Sequence, residues 1–60
     1  ASRRPGPLLA AAAALEEAAA LNPYRPATWS QLATVYRAMG REPLAQEVER
    51  RAGVYLPRLP

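Results

Sequence analysis

Sixty residues allow one small domain, and a chain of this length buries only about 60% of the surface its unfolded form exposes, so its stability leans on staples or neighbours. Cys, His and Asp are all absent, which removes disulfides, thiolate and imidazole metal sites, and every triad built on His and Asp. The net charge of +3, carried entirely by Arg against five Glu, marks nucleic-acid binding only where the arginines cluster on one face.

Alanine is the commonest residue and crowds positions 10–20, a composition that favours helix. Prolines and glycines cut the chain into three windows. The first runs from Leu8 to Leu21. Pro7 stands at the first helical position, where a missing N–H costs nothing, and Pro23 ends the window by forcing Asn22 out of the helical region. Leu8, Ala11, Leu15, Ala18 and Leu21 recur at three- and four-residue spacing and form its expected apolar stripe.

The second window, Ala27 to Met39, opens after Pro26. Trp29, Leu32, Ala33, Tyr36 and Met39 lie on one stripe of period 3.6, with Ser30, Gln31, Thr34 and Arg37 opposite. Gly40 is placed where a left-handed residue closes a helix. The third window, Pro43 to Tyr55, has Leu44, Ala45, Val48, Ala52 and Tyr55 or Leu56 on its apolar side. Glu47 and Arg51 form a favourable i,i+4 pair on its wet side, and Pro57 stops it. Connections of three to five residues imply antiparallel neighbours.

Shifted by 34 positions, the chain repeats its own punctuation. Gly6 falls on Gly40, Ala11 on Ala45, Ala18 on Ala52, Pro23 on Pro57 and Pro26 on Pro60, and Arg3 meets Arg37. The run Trp29-x2-Leu32-Ala33-x2-Tyr36-x3-Gly40-x4-Ala45-x6-Ala52-x4-Pro57 resembles the tetratricopeptide repeat, a 34-residue pair of helices, at each signature spacing. Upstream, Gly6-x4-Ala11-x3-Leu15-x2-Ala18-x2-Leu21-x-Pro23 is similar to the second half of a preceding repeat.

The resemblance implies an all-α fold of three helices, an α-solenoid fragment with one antiparallel hairpin and the second helix of another. Residues 1–7 are then linker or the end of a preceding helix, 8–57 the helical unit (8–22 and 26–57), and 58–60 a tail. In such a hairpin Trp29 and Tyr36 fill the space between the two helices. Ala33 and Ala45 stay small where the axes approach, and Ala52 lets a following helix lie close. Two positions depart from the pattern: Glu49 stands where a large apolar residue is usual, and Gly53-Val54 weakens the last helix. Both suit a terminal repeat whose outer face meets solvent.

Function follows as an expectation. The resemblance implies a non-catalytic protein-interaction or scaffold module, from the C-terminal part of a larger bacterial repeat protein. Its partner is another protein or another part of the parent chain, and the open face of the first helix also allows a homo-oligomer. Partner contact is assigned to Ser30, Thr34 and Arg37 on the second helix and to Tyr24 in the turn before it. Ser30 and Thr34 do not match the Lys and Asn of carboxylate-clamping members.

No cofactor is implied. Adjacent Glu16 and Glu17 point about 100° apart on a helix, and Ser30 has no His or Lys to activate it, so catalysis is not expected. Arg41, Arg50, Arg51 and Arg58 offer a second reading as a weakly basic nucleic-acid module, but Glu42, Glu47 and Glu49 interleave with them. The Arg3-Arg4 start before an apolar run is signal-like, yet Pro5-Gly6-Pro7 interrupts it and Glu16-Glu17 follow. That run is also shorter than the ~20 residues of a membrane span.

Overall fold

The computed structural model describes residues 6–56. They form three α-helices: α1 (Pro7–Leu21), α2 (Pro26–Ala38) and α3 (Glu42–Tyr55). The stop assigned to Pro57, the register matches at Arg3 and Pro60, and the segments 1–5 and 58–60 lie outside the described residues.

Each helix opens on a proline in its first two positions, and no N-cap side chain bonds to the backbone. Proline's fixed φ and missing donor therefore replace side-chain capping at all three starts. Helix α3 begins one residue earlier than the proline alone suggests. Glu42 then occupies its first turn, where a carboxylate meets the positive end of the helix dipole.

The helix ends are set by different devices. At the end of α2, Gly40 adopts φ 75°, its N–H bonds to the Arg37 carbonyl at 3.0 Å, and the Arg41 N–H bonds to the Tyr36 carbonyl at 2.8 Å. This paired closure is a Schellman motif and needs the left-handed glycine that the sequence placed there. Helices α1 and α3 end alike instead. The Asn22 N–H bonds to the Ala18 carbonyl at 2.9 Å, and the Leu56 N–H bonds to the Ala52 carbonyl at 2.8 Å. These two bonds are 34 residues apart at both ends, and each is the ordinary i→i−4 bond of a last helical turn.

Helix α2 packs against both other helices and holds the centre of the core. Trp29, Leu32 and Ala33 from α2 are buried together with Ala12 and Ala19 from α1 and Ala45, Val48 and Ala52 from α3. Five of these eight are alanines, so Trp29, Leu32 and Val48 supply nearly all the large apolar surface withdrawn from water. Thr28 is buried beside them. The first turn of α2 lies against the last turn of α3, where Trp29 stacks on Tyr55. The last turn of α2 meets the first turn of α3, where Arg37 pairs with Glu42.

The α1 face differs from the expected stripe. Ala12 and Ala19 are buried and Leu15 is half-buried, while Ala18 is exposed and Leu8 and Leu21 are 39% and 80% exposed. The inward face thus moves from Ala11 and Ala18 to Ala12 and Ala19 while Leu15 stays on it, a rotation smaller than the roughly 100° between neighbouring residues. The cause is that α1 is apolar almost all round, so periodicity cannot choose a side. Glu16 ties that side to α2, its Oε2 accepting a 2.7 Å hydrogen bond from the Tyr36 hydroxyl.

Tyr36 packs against the core and its hydroxyl also reaches the preceding helix α1 through Glu16. Arg51 is a second correction. Its guanidinium pairs with Glu16 at 3.3 Å on α1, and Glu47 pairs with Arg50 at i,i+3. A carboxylate already fixed by Tyr36 offers a better-ordered partner than the exposed Glu47.

Candidate interaction surface

Two open grooves flank Trp29, each enclosing about 430 Å³. The first lies between α2 and α3. Ser30, Thr34 and Arg37 stand along one wall, Glu49 and Gly53 along the other, and Ala33, Ala52 and Leu56 supply its apolar surface. These positions converge because 30, 34 and 37 recur at helical spacing on α2, as 49, 52, 53 and 56 do on α3.

Inside this groove the polar groups are partly committed. The Thr34 hydroxyl donates to the Ser30 carbonyl at 3.0 Å, one turn back along the helix, which leaves its oxygen free to accept. Arg37 donates from its Nη2 to Glu49 at 2.8 Å and from its Nε to both Glu42 oxygens at 3.2 Å. Hydrogen bonds to Glu49 and then Glu42 push the Arg37 pKa above its ordinary value. Arg37 therefore closes one end of the groove with a neutralised fork, and Glu49, odd by the repeat pattern, is its partner.

The second groove lies on the other side of Trp29, between the ends of α1 and α3, with Ala19, Ala20, Pro23, Arg51, Val54 and Tyr55 around it. Trp29 is anchored there by its indole N–H, which donates to the Pro23 carbonyl at 2.7 Å. The Arg51 guanidinium lies 5.2 Å from the Trp29 ring centroid, within cation–π range. Tyr55 stacks on Trp29 with centroids 6.0 Å apart, and Tyr24 meets Tyr55 edge-on at 5.6 Å. The four candidate contact residues therefore divide. Ser30, Thr34 and Arg37 share one groove, and Tyr24 lines neither, meeting the second only through its edge-on contact with Tyr55.

The chain matches no known protein family, no curated protein and no solved structure. Its chemistry must be taken from its own residues. Among the described residues no three His, Cys, Asp or Glu side chains group as they would around a metal ion. No helix among them is long and apolar enough to cross a membrane.

The Glu16 network is what sequence reasoning missed. Its carboxylate takes the Tyr36 hydroxyl on one oxygen and Arg51 on the other, tying α1 to both later helices. The Tyr36 pKa is raised, first by the hydrogen bond to Glu16, then by burial and by the Glu16 charge, with Arg51 opposing. The Tyr24–Tyr55–Trp29 cluster was also missed. A signal existed: Arg51 and Tyr55 are one turn apart at the end of α3, level with Trp29 once the helices run against each other.

Proposed function

We propose that this chain is a non-catalytic protein-interaction module of tetratricopeptide type: the second helix of one repeat followed by a full antiparallel hairpin, belonging to a larger bacterial scaffold protein. The observation that carries the reading is the α2/α3 groove, where Ser30 and Thr34 face Ala52, Gly53 and Leu56 across an open apolar cleft. A cleft with small walls, a free hydroxyl acceptor and a neutralised arginine suits a peptide segment of a partner protein, held by backbone hydrogen bonds and one or two apolar side chains. A second copy of this chain or another part of the parent chain would be an alternative source of that segment.

The charge distribution also favours a protein partner over nucleic acid. Among the described residues Arg37, Arg50 and Arg51 are each engaged by a glutamate, and Arg25 and Arg41, outside these pairs, stand at opposite ends of α2, so these five do not line up as a free phosphate-binding row.

Site-specific photo-crosslinking tests the reading. A photoreactive residue in place of Thr34 is expected to give one discrete polypeptide adduct in the parent cell. The same residue in place of Gln31, outside the groove, gives none, and Gly53→Arg, at an exposed position on the opposite wall, removes the adduct when placed on top of the Thr34 probe. Equal labelling from both positions, or an adduct destroyed by nuclease, would rule the reading out.

A further inference from the structure

The two ends of the α2/α3 groove differ in charge. At one end Pro26 and Leu56 supply apolar surface, and Gly53 leaves open space on the α3 wall. At the other end a single guanidinium meets two carboxylates. Arg37 bonds to Glu42 through Nε at 3.2 Å and to Glu49 through Nη2 at 2.8 Å, and all three side chains are well exposed. One positive charge against two negative charges leaves this end acidic. Glu49 spends only its Oε2 on Arg37, and its Oε1 stands outside the hydrogen bonds of the described residues. The neighbouring arginines are placed elsewhere. Arg50 is held by Glu47, Arg41 does not line the groove, and Arg25 precedes Pro26 at the far end.

Taking this groove as the peptide site, we propose that it selects an extended segment carrying Arg or Lys three residues from a Leu-sized apolar side chain. The cation lies at the Glu42–Glu49 end and the apolar side chain beside Gly53 and Leu56. Helical geometry sets the spacing. Ser30 to Arg37 on one wall and Glu49 to Leu56 on the other each span seven positions, about 10 Å along the axis. An extended peptide covers that length in about three residues. Charge sets the sign. The guanidinium of Arg37 is already outnumbered, so an anionic side chain or a terminal carboxylate meets the excess carboxylate, whereas a cation restores neutrality.

The test titrates the isotope-labelled chain with acetyl-Ala-Leu-Ala-Ala-Arg-Ala-amide and its reversed sequence, each against a counterpart with Glu in place of Arg. Amide shifts are expected at Ser30, Thr34, Ala52 and Gly53. In the order that fits, the Arg peptide should bind at least fivefold tighter than the Glu peptide at low salt. The preference should shrink below about twofold in 0.5 M salt, because exposed charges are screened. Chain variants then move the preference in opposite directions. Arg37→Gln should enlarge it, and Glu42→Gln with Glu49→Gln should reverse it in favour of the Glu peptide, with unchanged helicity as the folding control. The proposal is overturned by equal affinities, by a wild-type preference for Glu, by an Arg preference that survives both Glu→Gln changes, or by silence from all four peptides at ten millimolar. A Thr34 crosslink to a segment lacking Arg and Lys would overturn the charge assignment alone, whereas absence of any Thr34 adduct would remove the groove reading itself.

Discussion

Helices α1 and α3 end in the same way, 34 residues apart, yet they live in different surroundings. On α3 the small residues Ala45, Val48 and Ala52 are closed over by α2, and its outer side is charged. On α1 the matching residues are open, and the helix packs through its other side, on Ala12 and Ala19. The difference teaches that an alanine-rich helix acquires its inward face from specific neighbours. For α3 the neighbours are Trp29 and Leu32. For α1 they are α2, packed on Ala12, Leu15 and Ala19, and the contacts of Glu16 with Tyr36 and Arg51.

The comparison breaks first at the core. Leu32 is fully buried, so Leu32→Ala should cost about 2–5 kcal/mol and take most of the cooperative melt with it. Leu21→Ala, at a position 80% exposed, should change stability by less than about 0.5 kcal/mol. Urea titration followed by circular dichroism reads both. A large loss from Leu21→Ala would mean that the α1 face is closed in solution.

The next contrast exchanges the counterparts. Val48→Ala should lower stability by about 2 kcal/mol, because it opens space beneath α2. Ala14→Val adds the missing methyls on the open face and should be nearly neutral in the same titration. Comparable effects from the two would erase the distinction between the helices.

Tyr36→Phe probes the contact that orients α1. Its loss should cost about 1 kcal/mol at neutral pH, the net worth of a part-buried hydrogen bond. The folded-state Tyr36 pKa is raised above 10.0, so the stabilising contribution is fully present below pH 10. It is lost as pH rises through the raised value, because the phenolate cannot donate to Glu16. The gap between the wild-type and Phe melts should therefore stay constant up to pH 10 and narrow above it. A gap that widens with alkali would contradict the assigned bond.

The glycines give the smallest and sharpest pair. Gly40→Ala forces a side chain into φ 75° and should cost about 1 kcal/mol. Gly53 lies inside α3 with open space around it, so Gly53→Ala should stabilise by about 0.5–1 kcal/mol. Thermal melts should therefore move in opposite directions.

Much of the architecture was legible in the chain. Prolines at each start and Gly40 are local devices whose conformations follow from covalent geometry, so helix limits fell within about one residue. The α2 stripe was legible because one face is apolar and the other is not. The α1 stripe was misread because Ala11, Ala12, Ala18 and Ala19 are identical to any periodicity, and only a contact 20 residues away distinguishes them. At the candidate site, the sharing of one groove by Ser30, Thr34 and Arg37 was legible from helical spacing. The neutralisation of Arg37 by Glu49, and the separation of Tyr24 from the other three, depend on how α3 sits and were not.

Native-state amide hydrogen exchange tests the central contrast most directly. The account predicts that Ala45, Val48 and Ala52 exchange only through global unfolding. Amides of Ala11, Ala14 and Ala18 should exchange through a cheaper local opening. Equal protection of the two helices would contradict it, and would show that the α1 face is closed in solution.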